Sequence, residues 1–116
     1  MSTPTVSIHP YFKVHPGKME AARAVIAKFL AKTKTETACA FYEFTVNDDV
    51  VFCREAYTDA AGALTHLQNV DAELKEMLQN SDLIRLEFHG PAAEIDKLRG
   101  PLAALNPAWF VYEAGI

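Results

Sequence analysis

The sequence predicts an α+β domain of ferredoxin-like order, its helices gathered on one face of a sheet, with an extra helix and strand at the C-terminus. Three observations lead there. Segments with strand alternation and segments with helical period follow one another along the chain, turn residues mark most of the junctions, and no repeat or low-complexity stretch interrupts the series. With 116 residues, half of them hydrophobic, the chain has enough apolar material for one continuous core, so residues 1–116 read as a single domain.

From Thr5 to Val14, Val6, Ile8, Phe12 and Val14 alternate with Ser7, His9, Tyr11 and Lys13, which is strand periodicity. Pro10 cannot donate to a sheet ladder, so it places this strand at an edge, at a bulge, or with that amide facing outward. His15, Pro16 and Gly17 make the following turn. Over Met19 to Thr33 the period changes: Met19, Ala22, Ile26, Phe29 and Leu30 recur at three- and four-residue steps, an amphipathic helix. Glu20 at its start and Lys28, Lys32 and Lys34 toward its end complement the helix dipole. The segment 32–37 then leads out as a polar loop.

Ala40 to Val46 and Val50 to Tyr57 read as the two strands of a hairpin, because Asn47, Asp48 and Asp49 between them tolerate positive φ. A two-residue loop at Asp48 and Asp49 sets Glu43 opposite Arg54 on one face and Tyr42 opposite Glu55 on the other, and the first pair favours that register electrostatically. Thr58 is the expected cap of a helix through Ala60, Ala63, Leu64 and Leu67, and Asp71 the expected cap of a second with Leu74, Met77 and Leu78. Leu83 to His89 returns to alternation. Gly90 and Pro91 open a third helical stretch that Gly100 and Pro101 close. A short apolar turn over Leu102 to Leu105 precedes a last strand at Trp109 to Glu113.

Charge and cysteine content narrow the function classes. The formal net charge is -4, and the 11 Lys and Arg are scattered, so no phosphate-binding stripe exists and nucleic acid is not expected as a partner. Cys39 and Cys53 are too few for a disulfide framework and have no zinc spacing, which fits a reducing compartment such as the cytoplasm. Met1 to Val6 lacks a basic, then apolar, leader pattern, and no run of about 18 apolar residues is present to span a bilayer. Both faces of the central hairpin are bulky and apolar, Phe41 and Phe52 on one and Tyr42, Phe44, Val46 and Val51 on the other. Helices cover only one face of such a sheet, so a second copy of the chain is the expected cover of the other.

With these elements in place, the sequence resembles the antibiotic biosynthesis monooxygenase family, small dimeric α+β-barrel proteins that include quinol and polyketide-type oxygenases, haem-degrading relatives and autoinducer-processing relatives. The resemblance is carried by Phe41 to Thr45, by the run Val51, Cys53, Glu55, Ala56, Tyr57, Thr58 and Asp59, and by His66 in the helix that follows. The tail, His89-Gly90-Pro91 through Asn106-Pro107-Ala108 to Phe110-Val111-Tyr112-Glu113, is similar to a family branch of mostly uncharacterised proteins. Where the family often has tryptophan, this chain has Tyr57, and neither a haem-ligand pattern nor a flavin-binding fingerprint is legible.

The resemblance implies cofactor-free oxygenase chemistry: an enclosed apolar cavity binds an electron-rich phenol or quinol, and the anion of that molecule reduces dioxygen. Such chemistry needs a proton acceptor beside the ring. His66 is the first candidate, since histidine exchanges protons near neutral pH; a place on the helix surface, or a bond to a nearby loop, is the plain alternative. Glu55, between apolar neighbours, is the second, a desolvated base or else a structural carboxylate bonded to His66 or Tyr42. Tyr11, Tyr42 and Tyr57 are the candidate substrate contacts, although aromatic residues on strands are also ordinary core. His9 with Tyr11 and Lys13, and His89 with Arg85 and Glu87, make either a polar cavity or solvated sheet edges. No His, Asp or Glu group has metal spacing, and Trp109 suits the core or a dimer seam. The leading expectation is a homodimeric, cofactor-independent monooxygenase for a small aromatic or quinone-type compound. A non-enzymatic small-molecule-binding or stress-related dimer, and an isomerase or cyclase, are the alternatives.

Overall fold

The computed structural model describes residues 4–116; Met1–Thr3, the start of the segment read above for a leader, lie outside the described residues. The order is β1 (Val6–Val14), α1 (Met19–Thr33), β2 (Cys39–Asn47), β3 (Val50–Tyr57), α2 (Ala60–Asn69), α3 (Asp71–Asn80), β4 (Ser81–Gly90), α4 (Ala92–Arg99), a 3-10 turn (Ala103–Leu105) and β5 (Ala108–Val111). The strands form one five-stranded sheet in the order β2-β3-β1-β4-β5. Every neighbouring pair is antiparallel except β4 and β5, which run parallel.

The hairpin adopts the expected register, with Asn47 opposite Val50, Glu43 opposite Arg54 and Tyr42 opposite Glu55. Asp48 takes a positive φ of 51° in the loop, as does Gly17, at 76°, in the turn after β1. Two expectations about capping are corrected. Asp59 rather than Thr58 caps α2, its carboxylate accepting the Gly62 amide at 2.8 Å, because the extended backbone at Asp59 aims the side chain at the first turn. Asp71 is the first residue of α3 and Val70 precedes it as the cap, with no side-chain bond. β1 is a central strand, so of the three placements open to Pro10 the edge does not apply and the irregular register does. Pro10 is accommodated because no residue of β3 pairs with it between Ile8↔Glu55 and Tyr11↔Phe52, and because the register with β4 slips next to it, between Tyr11 and Phe12.

The inward residues of the strands all meet helices on the same side. Val6, Ile8, Tyr57 and Phe88 pack with Ala60 and Ala63 of α2 and with Ile95 and Leu98 of α4. Phe12, Val14 and Val51 pack with Ala22, Val25 and Phe29 of α1 and with Met77 of α3. The core is thus two clusters side by side under one layer of helices. Lys28 of α1 and Glu76 of α3 join at 2.9 Å across the second of them. Trp109 belongs to the first, its ring 5.2 Å from that of Phe88.

The opposite sheet face has no helix among the described residues. It presents Phe41, Glu43 and Thr45 of β2, Phe52 and Arg54 of β3, Ser7, His9, Tyr11 and Lys13 of β1, Arg85, Glu87 and His89 of β4, and Phe110 of β5. Phe41 and Phe110 are more than two-fifths exposed, at 44% and 43%.

Gly62 makes α2 sensitive to a single methyl. A Cβ there would stand 2.8 Å from the Cβ of Ala38 and 3.3 Å from that of Tyr57. Glycine in a helix ordinarily costs up to about 1 kcal/mol relative to alanine, but here overpacking of about 1–3 kcal/mol outweighs that gain. Gly62→Ala is therefore expected to lower stability in urea unfolding, with the loss partly recovered by Ala38→Gly in the same chain; an unchanged or raised midpoint in the single variant would contradict this.

Candidate functional site

Helical spacing and strand alternation bring the site together. On α2, Ala60, Gly62, Ala63 and His66 form the buried face, so the His66 ring points at the sheet. On β3, alternation turns Cys53, Glu55 and Tyr57 toward the same side, and β2 adds Tyr42 opposite Glu55 and Phe44 opposite Cys53. His66 and Glu55 are 2% and 3% exposed, so neither is solvated.

The imidazole is fixed from four directions. Nε2 lies 3.1 Å from Glu55 Oε1, and Nδ1 lies 2.9 Å from Glu36 Oε2. The Tyr42 and Tyr57 rings flank it at centroid distances of 5.1 and 4.9 Å. The Tyr57 hydroxyl donates to Glu55 Oε1 at 2.7 Å, and the Asn69 amide donates to Glu36 Oε2 at 2.8 Å. Because both ring nitrogens lie within 3.1 Å of a carboxylate oxygen, with Nδ1 hydrogen-bonded to Glu36, the imidazolium is the form these two neighbours favour. Burial pushes the His66 pKa down, but the hydrogen bonds and charges of Glu55 and Glu36 push it up by more, and the balance lies above the ordinary histidine value. Burial and the Glu55 charge raise the Tyr42 and Tyr57 phenols and the Cys53 thiol, so these stay protonated.

Beside this cluster lies a small apolar cavity of about 70 Å³, walled by Ile8, Phe12, Phe29, Tyr42, Phe44, Leu67, Val70, Leu74, Leu83, Leu86 and Phe88. It occupies the seam between the two core clusters. Small residues leave the space: Pro10 and Cys53 line it between the bulkier side chains of β1 and β3. Glu55 and His66 are the ionisable pair in that wall, a setting in which a carboxylate can accept a proton from a bound molecule while the imidazolium stabilises the resulting anion.

Of the five residues singled out in the sequence, the structure brings His66, Glu55 and Tyr42 to the cavity. Tyr57 sits behind them, fully buried, and holds Glu55 in place. Tyr11 projects from the other sheet face, its ring 4.6 Å from Phe52, so it does not reach this cavity. On that face His9 meets the His89 ring at 4.6 Å, burial and His89 lower its pKa, and Glu87 pairs with both His89 and Arg85. Sequence reasoning passed over Glu36. Its signal is a lone acid in the polar loop after α1, matched by Asn69 one helical turn beyond His66, so that both reach the same carboxylate.

No protein-family model and no curated protein matches the chain. Among solved structures, MupZ from Pseudomonas fluorescens superposes with a TM-score of 0.93 at 40% identity, over 97% of this chain and 93% of that one. A putative antibiotic biosynthesis monooxygenase from Caulobacter crescentus matches with a TM-score of 0.67 at 20% identity, over 74% and 88% of the two chains. Another from Chloroflexus aurantiacus matches with a TM-score of 0.63 at 13% identity, over 76% and 93%. The chain shares the fold of the antibiotic biosynthesis monooxygenases. The two distant monooxygenase neighbours share its fold, and their matches cover about three quarters of this chain, whereas the MupZ match spans nearly all of it. No described helix is long and apolar enough to cross a membrane, and both cysteines are free thiols.

The raised pKa of His66 carries a sign. Protonation favours the folded state, so the contribution is present in full below the unfolded-state value of about 6.5 and is lost as pH climbs through the higher folded-state value. Unfolding free energy is expected to fall across that interval in wild type and not in His66→Gln. His66→Ala, which leaves two buried carboxylates facing one another, is expected to cost about 3–5 kcal/mol at neutral pH. Parallel pH profiles for wild type and His66→Gln would refute the assignment.

Proposed function

We propose that the cavity binds a small, largely apolar molecule of aromatic or quinol type and that Glu55, balanced by His66, removes its hydroxyl proton. The anion so formed, held away from water, is the electron donor to dioxygen, which makes the protein a cofactor-independent monooxygenase. The carrying observation is the carboxylate and histidine set into an otherwise apolar wall. Such a wall selects an apolar ligand, and a carboxylate held there by Tyr57 and His66 needs no solvent reorganisation to accept a proton. Glu55 and His66 are the catalytic pair, Tyr42 is a contact for the bound ring, and Tyr57 positions Glu55.

Glu55→Gln keeps an oxygen to accept the Tyr57 hydroxyl and removes the base. Oxygen uptake with a panel of quinols is expected in wild type and should fall by about 10²- to 10⁴-fold in the variant. Background uptake by both would remove the oxygenase reading. Because every partner of His66 is satisfied within the protein, a binder that performs no chemistry is the second reading, and a ligand retained through purification, seen by mass spectrometry without turnover, would favour it. Product formed under strict anaerobiosis would point instead to an isomerase or cyclase using the same pair.

A homodimer completes the proposal, in the reducing cytoplasm that two free thiols suit. A second copy would cover the open sheet face around Phe41, Phe52 and Phe110, aromatic residues that water solvates poorly. Sedimentation at micromolar concentration is expected to give a dimer, and Phe52→Glu a folded monomer. A monomeric wild type would overturn this.

A further inference from the structure

We infer that the 3-10 turn Ala103–Leu105 is the movable wall of the cavity, swinging on Asn106 to admit a ring that the closed space cannot hold. This deepens the reading that the cavity binds an aromatic molecule, and it rests on that reading. Size is the first observation. The closed space is about 70 Å³, whereas an apolar cavity of about 150 Å³ is the scale that takes up benzene. A quinol ring is no smaller than benzene, so one wall has to give way.

Most of the wall is fixed. Ile8, Phe12 and Phe88 come from the central strands β1 and β4, and with Glu55 and His66 they are at most 3% exposed; moving them would disrupt close-packed core. Among the described wall residues only Leu78 and Leu105 are exposed, at 42% and 43%, so these two mark the mouth. The sides of the mouth are held differently. Leu78 lies within α3, which the Lys28 to Glu76 pair ties to α1 at 2.9 Å. Leu105 stands on an arch between two anchors, Leu102 in the first core cluster and Trp109 against Phe88. Between the anchors Ala103, Ala104, Leu105 and Asn106 are exposed. Their backbone bonds close locally, Ala103 to the Gly100 carbonyl at 3.3 Å, Leu105 to that of Leu102 at 3.1 Å and Asn106 to that of Ala103 at 3.0 Å. The arch can therefore swing without breaking a bond to the sheet.

The hinge is written in the backbone. Asn106 is left-handed, with φ 47° and ψ 53°, a conformation that L-residues other than glycine adopt at a cost. Pro107 follows it, and a proline ring favours an extended backbone in the residue before it. The closed arrangement is thus held against a local preference, and release of Asn106 to the extended form carries Leu105 away from the mouth.

The test uses xenon, an apolar probe, on the whole protein, with exchange of ¹²⁹Xe between cavity and water read by saturation-transfer NMR. Leu105→Ala is expected to raise the exchange rate about tenfold or more, and Asn106→Val to raise it likewise. Asn106 lines no part of the cavity, and a β-branched residue there disfavours the left-handed conformation, so its effect reports the hinge and not a wider static opening. Leu30→Ala, at a leucine of similar exposure outside the cavity, is expected to leave the rate unchanged. Acceleration by Leu105→Ala without acceleration by a folded Asn106→Val would overturn the hinge, as would xenon that fails to enter the wild-type cavity. In wild type, methyl relaxation dispersion is expected at Leu105 and not at Leu78; a flat profile at Leu105 would overturn the moving wall even if both variants fail to fold. Absence of oxygen uptake with the exchange pattern intact would count against the oxygenase reading alone.

Discussion

A histidine clamped between two carboxylates, inside a protein interior, is the constraint on which the rest of this molecule turns. A buried charge is tolerated only when it is paired and hydrogen-bonded, and here each member depends on the others: Glu55 on His66 and Tyr57, Glu36 on His66 and Asn69. The three acid and base groups come from β3, α2 and the loop after α1. Satisfying them therefore fixes how α2 sits on the sheet and how the chain leaves α1, and the site is also a fastening of the fold.

The cavity follows from the same arrangement. The two core clusters would merge if the strands carried large inward side chains throughout, but Pro10 and Cys53 stand between Ile8 and Phe12 on β1 and beside Glu55 on β3, and the space between the clusters stays open. Proline in a central strand is tolerated only where the ladder already lapses, and the neighbouring slip in register with β4 provides that lapse. A local defect in the sheet and an open volume above it are thus two aspects of one feature.

Most of the fold was legible because its signals are local. The hairpin register was readable from Glu43 and Arg54 and the bounds of α1 from the spacing of Met19 to Thr33, whereas the sheet face that carries Glu55 inward was not, because both faces of the hairpin are apolar. The errors were also local in kind. Thr58 and Asp59 are both good caps, and backbone geometry chose between them. Tyr11 was grouped with Tyr42 and Tyr57 because all three lie on strands, yet the faces of β1 and β3 are related through pairing, which one strand does not reveal. Glu36 was hidden because its partner lies 30 residues away, in a loop without periodicity.

The sheet is blunt at both sides. β5 runs only from Ala108 to Val111, and β2, at the opposite border, is bulged between Cys39 and Phe41 and carries Glu43. Short, bulged or charged borders resist the lateral addition of foreign strands that leads to fibrils. A chain this rich in aromatic strand residues is therefore steered toward meeting other molecules flat-on, and runaway stacking of its backbone is discouraged by its own architecture.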